Sequence, residues 1–211
     1  MILVGGLLLL YALLFPIVAR AAGRLRKHAA VQEHLANHDH LTGLANTTLF
    51  RRELERALQR PDSFVAILVV DVDRFKSVND RLGHRNGDAV LKVVGERLRD
   101  SLRLGDHVAR IGGDEFGVLL PEAGINEAEL IACRILDSLS QPLLIEGQTL
   151  RPTASIGIAL APDDGTTLDE LLHAADLAMY AVKAAGGGYR FADSTTDRGP
   201  RPLFLHGARP S

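Results

Sequence analysis

Cysteine is nearly absent from this chain of 211 residues: Cys133 is the only one, so no disulfide can form within it. On its helix it reads as a small buried hydrophobe. An excess of charge of either sign is also missing. The formal net charge is −2 at pH 7, which gives no basic footprint and argues against a nucleic-acid partner. The 8 histidines show no zinc-ligand spacing. His34, His38 and His40 cluster around a polar stretch and read as surface composition. No internal repeat is evident. No Lys or Arg precedes Arg20, so the apolar N-terminal run lacks the charged start of a signal peptide.

What is present begins with that run. Met1–Ala19 is uncharged and rich in Leu, Val and Ala. From Ile2 to Ala19 a helix would span about 27 Å, just enough for a bilayer core. Arg20, Arg24, Arg26 and Lys27 follow it, and positive flanks stay cytoplasmic. Pro16 is compatible with a kinked span. The expectation is one transmembrane helix over residues 1–20, with the rest of the chain at the inner face of the membrane. A buried helix of a soluble protein is the alternative. Residues 21–38 are polar and helix-favouring, with sparse apolar positions at Leu25, Val31 and Leu35. They read either as a coiled signalling helix pairing two subunits or as a solvated linker. Residues 193–211 are rich in Gly, Pro, Arg and Ser and read as a disordered tail.

Between these ends, residues 39–192 suit a single α/β domain of about 150 residues. Phe50, Leu54, Ala57 and Leu58 mark a helix ending near Pro61. Phe64–Val70 is a continuous β-branched run, as in a central strand buried on both faces. Val90, Val93, Val94 and Leu98 mark a second helix, and Ile131, Ile135 and Leu139 a third. Pro152–Ala161 reads as another strand. Thr167-x-x-Glu170 is a capping-box pattern opening a last helix, with Leu171, Ala175, Ala178 and Val182 on one face.

Two carboxylate clusters stand out. Arg110-Ile111-Gly112-Gly113-Asp114-Glu115-Phe116-Gly117 lies between two apolar runs and reads as a hairpin whose glycines take positive φ. Its turn would expose Asp114 and Glu115, and Gly112 and Gly113 would let a phosphate or base approach the main chain. Asp71-Val72-Asp73-Arg74-Phe75-Lys76 closes the central strand, placing Asp71 at a strand end. An EF-hand also opens Asp-x-Asp, but Lys76 stands where Gly is needed and Leu82 where Glu is needed. A metal site and a pair of solvated acidic turns are the two readings left, and two such clusters favour the first.

These residues resemble the GGDEF family of bacterial diguanylate cyclases. Gly112-Gly113-Asp114-Glu115-Phe116 is similar to its signature. Asp71-x-Asp73-x-Phe75-Lys76-x-x-Asn79-Asp80, with Gly83-His84 and Gly87-Asp88, resembles its second motif. Asp39-x-Leu41-Thr42-Gly43-Leu44-x-Asn46 resembles its opening motif. Ala154–Ala159 and Ala175-Asp176-x-Ala178-Met179-Tyr180-x-x-Lys183 resemble later ones.

The resemblance implies a nucleotide-cyclase-like α/β domain, with a central mixed β-sheet surrounded by helices. It implies condensation of two GTP into cyclic di-GMP with release of pyrophosphate, by a homodimer in which each subunit holds one GTP. It implies Mg2+ or Mn2+ held by Asp71, the Val72 carbonyl, Asp114 and Glu115, with Asp114 as proton acceptor. Lys76 and Lys183 would steady the phosphates near the Phe75 main chain. Asn79 and Asp88 would contact guanine, and His84 would belong to the same wall unless it is structural. Arg103-Leu104-Gly105-Asp106 matches the family's inhibitory Arg-x-x-Asp, so Arg103 and Asp106 would bind the product, cyclic di-GMP.

The chain also departs from the family. Ala45 and Thr47 replace the usual Pro and Arg of the opening motif. Gly187 and Gly188 stand where Arg and Asn close the last motif, which removes a cation expected near the phosphates and should loosen the chain. A weak or inactive module that binds GTP or cyclic di-GMP is therefore the alternative.

Overall fold

The computed structural model describes Phe15, residues 35–60 and 64–193, and the backbone of Leu203–Leu205. The expected transmembrane helix, most of the linker and most of the tail lie outside these residues. Among the described residues no helix is long and apolar enough to cross a membrane. The chain divides into two units, residues 1–37 and 38–211, and the second carries the architecture that follows.

Its elements in order are β1 (Ala45–Asn46), α1 (Thr47–Leu58), β2 (Val65–Val72), α2 (Phe75–Leu82), α3 (His84–Asp100), β3 (His107–Arg110) and β4 (Glu115–Pro121). Then come α4 (Ile125–Leu139), β5 (Leu143–Ile145), β6 (Gln148–Leu150), β7 (Ala154–Ala161), α5 (Leu168–Ala184), β8 (Gly188–Phe191) and β9 (Leu203–Leu205). Seven strands form one mixed sheet in the order β1-β3-β4-β2-β7-β8-β9. β2 lies at its middle, antiparallel to both β4 and β7. All of its residues are buried, as its apolar run Val65–Val70 requires.

Alternation along β2 builds two cores, because successive side chains of a strand point to opposite faces. Ala66, Leu68, Val70 and Val72 pack with Val90, Leu91, Val94 and Leu98 of α3 and Ile131 and Ile135 of α4. Val65, Ile67 and Val69 pack with Phe50 and Leu54 of α1 and Leu171, Ala175 and Met179 of α5. By the same alternation Asp71 falls on the α5 side. Helix α5 rests directly on the sheet: a Cβ at Gly157 of β7 would overlap the Ala175 carbonyl oxygen and the Met179 nitrogen. The capping box at its start is formed. Glu170 N donates to Thr167 Oγ1 at 3.3 Å and Thr167 N donates to Glu170 Oε2 at 3.2 Å.

Three features differ from the sequence reading. The stretch after Asp73 is a helix, α2, separated from α3 by Gly83 at φ 82°. β5 and β6 form a hairpin across Glu146 and Gly147, both at positive φ as a two-residue turn of this kind needs. The tail expected to lack structure contributes β9, which pairs antiparallel with β8.

Candidate active site

Register decides which polar groups meet. Asp71 of β2 pairs with Glu115 of β4 on one side and Ser155 of β7 on the other. Asp71 is only 4 % exposed, and the Lys183 ammonium near the end of α5 lies 2.6 Å from its Oδ1. Two residues on, Asp73 accepts from Ser155 Oγ at 2.7 Å, and its own N donates to the Thr153 carbonyl at 2.9 Å. The end of β2 is thus fixed through both side chain and backbone.

The turn between β3 and β4 is fixed just as firmly. Ile111 N and Gly112 N both donate to the Glu115 carbonyl, at 3.0 and 3.2 Å, and Val72 N donates to the Asp114 carbonyl at 3.1 Å. The last of these bonds ties the turn to β2. The positive φ expected of its two glycines is not found: neither Gly112 nor Gly113 is among the residues at positive φ. Glycine is needed at 112 for space instead. A Cβ there would stand 2.6 Å from Glu115 Oε2, because the carboxylate folds back over the turn. At 113 a Cβ would meet nothing within 4 Å, so that side is open to a ligand. Asp114 and Glu115 are half-buried rather than exposed.

The sequence reading missed the brace that holds this turn. Arg110 donates to the Gly113 carbonyl from Nη2 at 2.7 Å and from Nε at 3.2 Å. Its Nη1 reaches Asp39 Oδ1 at 3.2 Å, and Asp39 in turn accepts from Thr42 N and Oγ1. The opening motif is thereby coupled to the turn, and an Arg directly preceding the Gly-Gly pair was the available signal. Thr47, where the family has Arg, donates to the Ile111 carbonyl at 3.2 Å.

Negative charge is in surplus here. Burial lifts the Asp71 carboxyl above its ordinary range despite the bond from Lys183. Burial also lifts Glu115, with Asp176, Asp71 and Asp114 adding to the rise, and burial lifts Asp176 as well. The Lys183 ammonium, which its own burial would lower, is raised by the bond and charge of Asp71. Such a set of oxygen donors suits a hard divalent cation. As the side chains stand, however, no three acidic, His or Cys groups among the described residues converge closely enough to hold one, and Lys183 takes Asp71 instead.

The remaining predicted residues lie on α2 and α3. The Asn79 amide occupies the space that a Cβ at Gly87 would fill, so the glycine lets the two helices close on it. Phe75 is half-buried, while Lys76, His84 and Asp88 are exposed. None of those three is drawn into the Asp71–Lys183 cluster. The chain after α5 is not loosened by its glycines. Gly186, Gly187 and Gly188 hold φ of 111°, 92° and 117°, and Gly187 N donates to the Val182 carbonyl at 3.0 Å. A Cβ at 187 would come 2.9 Å from Asp73 Oδ2.

Arg103 and Asp106 form a separate turn before β3. Asp106, its side chain 2 % exposed, accepts from Arg103 N at 3.1 Å and from Nε at 3.3 Å. The Arg103 guanidinium also pairs with Glu127 and donates to the Pro121 carbonyl.

Comparison with known proteins places this geometry. A family model described as "Diguanylate cyclase, GGDEF domain" matches residues 36–188. The diguanylate cyclase TpbB of Pseudomonas aeruginosa is 45% identical over 172 residues, covering 79% of this chain and 40% of that protein. The chain thus spans well under half the length of this curated relative. A structure comprising only the GGDEF domain of TpbB superimposes with a TM-score of 0.71 at 45% identity, covering 74% of this chain and 94% of that one. The coiled coil and GGDEF domain of DgcB from Caulobacter crescentus, in complex with c-di-GMP, gives a TM-score of 0.75 at 28% identity, over 82% of this chain and 94% of that one.

Proposed function

The chain belongs to the GGDEF domain family, and from that membership we propose that it condenses two GTP into cyclic di-GMP and two pyrophosphates. The observation that carries the reading is the row Glu115–Asp71–Ser155 across three neighbouring strands, with Lys183 on Asp71 and the Asp114–Glu115 turn stapled beside it.

Each subunit holds one GTP and two subunits face each other. The 3′-hydroxyl of each nucleotide attacks the α-phosphorus of the other, the bond to the bridging oxygen of the β-phosphate breaks, and one pyrophosphate leaves at each attack. Mg2+ or Mn2+ would be held by Asp71, the Val72 carbonyl, Asp114 and Glu115; when bound it neutralises phosphate charge and activates the attacking oxygen. The hydroxyl proton goes to the Asp114–Glu115 pair. Asp114 is the proton acceptor, beside Glu115, which burial and its acidic neighbours lift above its ordinary range. Lys183 exchanges part of its hold on Asp71 for the phosphates, helped by Lys76 and the Phe75 main chain. Asn79 and Asp88 read guanine beside His84, and Gly113 leaves the approach open. Arg103 and Asp106 bind product away from the reacting atoms.

We place the domain at the inner face of the membrane, on the strength of the apolar run Ile2–Ala19 and the basic residues after it. The test is incubation of the full chain with GTP and magnesium, followed by separation of the nucleotides. Cyclic di-GMP and pyrophosphate are expected. GTP bound without product would instead support a binding module, the reading favoured by the glycines at 187 and 188.

A further inference from the structure

A cavity of about 780 Å³ opens at the Lys183 end of the site. Helix α2 forms one wall, where Arg74 at its N-cap, Ser77 and Arg81 share one face at i, i+3 and i+7. The segment before β7 contributes Arg151, and α5 contributes Lys183. Four cations therefore face one opening. The single carboxylate among the lining, Asp73, already accepts from Ser155.

Several arginines elsewhere in the domain are engaged. Arg103 and Arg110 hold carboxylates, and Arg97 donates to the carbonyls of Leu139, Gln141 and Pro142. Arg74, Arg81 and Arg151 hold no carboxylate among the described residues. Gathering like charges around an opening is unfavourable until an anion enters it. Arg74 carries a second cost, since its φ of 56° is one that residues with a Cβ rarely adopt. Its side chain makes no cap bond to its own helix, so the guanidinium is free for a ligand.

We propose that Arg74 and Arg151 grip the β- and γ-phosphates of GTP from opposite walls of this cavity, supplying the cation lost where Gly187 replaces the family's arginine. This rests on the GTP reading above. A guanidinium offers paired N–H donors that match phosphate oxygens. It also stabilises the charge that gathers on pyrophosphate as the bond to the α-phosphorus breaks. Arg81, about 10 Å further along α2, adds to the field without touching these two groups.

The experiment titrates the full chain with a non-hydrolysable GTP analogue, with GMP and with inorganic tripolyphosphate at fixed magnesium. Arg74→Gly, Arg151→Ala and the double variant are compared with wild type. Glycine is chosen at 74 because it keeps the positive φ without strain. Arg85→Ala, exposed and outside the cavity, is the control. Each single variant should lose about tenfold in affinity for the analogue, and the double variant more. GMP affinity should not move, Arg151→Lys should recover part of the loss, and KM for GTP should rise. Equal losses for GMP and analogue would overturn the proposal. So would a double variant that is folded by circular dichroism and binds the analogue like wild type. If wild type turns over GTP and the double variant matches it, the cyclase reading stands and this proposal falls. If wild type binds tripolyphosphate through Arg74 and Arg151 but not the analogue, the GTP reading falls and the anion site stands.

Discussion

The turn before β3 and the turn after it both gather charge, but only the first is neutralised from within. Arg103 meets Asp106, Glu127 and the Pro121 carbonyl, so its charges are satisfied before any ligand arrives. In the second turn Asp114 and Glu115 face Asp71 and Asp176, and each raises the cost of ionising Glu115. Lys183 bears on Asp71 and Glu115 together. A site with surplus charge gains when a cation or a cation-bearing substrate enters. A self-paired site must give up contacts to bind, which suits a weaker regulatory ligand. The backbone follows the same division. The second turn is held from outside by Arg110 and Val72, while the first is closed by its own Asp106.

The largest effect should come from the surplus itself. Asp71→Asn and Glu115→Gln should each lower turnover by at least about a hundredfold, as loss of a group aimed at developing charge does. Circular dichroism should show the fold intact, and a variant within a few-fold of wild type would reduce these carboxylates to structural groups.

Next come the two glycines. Gly112→Ala should push the Glu115 carboxylate aside and lower kcat by about tenfold, through loss of alignment. Gly113→Ala has room in the free domain, so it should instead raise KM for GTP with thermal stability unchanged. Steady-state kinetics on the pair separates the two roles.

A smaller effect concerns the outer brace. Burial alone would raise the Asp39 carboxyl, but its bonds with Thr42 and Arg110 outweigh this and hold it below its ordinary value. A depressed carboxyl stabilises the fold above its unfolded pKa, and that stability is lost as pH falls through the folded value. Asp39→Asn should therefore cost about 1–2 kcal/mol at pH 7. Denaturant titrations should show the gap from wild type shrinking below about pH 4.

The smallest effect on turnover belongs to the self-paired turn. Arg103 is half-exposed, so Arg103→Ala should cost less than about 1 kcal/mol. It should leave initial rates alone and abolish inhibition by added cyclic di-GMP, so progress curves stay linear for longer. Equal inhibition of the variant and wild type would remove Arg103 from the product site.

The elements legible in the sequence are those whose burial writes a period. β2 is apolar from Val65 to Val70 because both faces are covered, and α5 shows its stripe and its Thr167–Glu170 cap. Helix α2 was hidden because it is only eight residues long and buries none of them fully, so Phe75 and Val78, which pack against the core, give too short a stripe to read. The β5–β6 hairpin is short and largely exposed, so it carries no alternation. The Gly112-Gly113 pair pointed correctly to a turn but wrongly to its backbone. The requirement is set by a side chain three residues on, which no turn rule contains. The acidic motif and Lys183 were legible by resemblance. Ser155 on Asp73 and Arg110 on Asp39 were not, since each pairing joins parts of the chain that only the folded sheet brings together.

Gly157 also sets a length. Met179 is seated on it, and Lys183 lies one helical turn further along α5, about 6 Å away. Ser155, in register with Asp71, lies two residues back along β7, about 6.6 Å away. The two distances nearly agree, so helix and strand act as matched rulers zeroed at the same glycine. A helix slipped by one residue would swing the ammonium through about 100° and leave Asp71 buried without its cation. The close seat that sets this register exists because Gly157 carries only a hydrogen atom as its side chain.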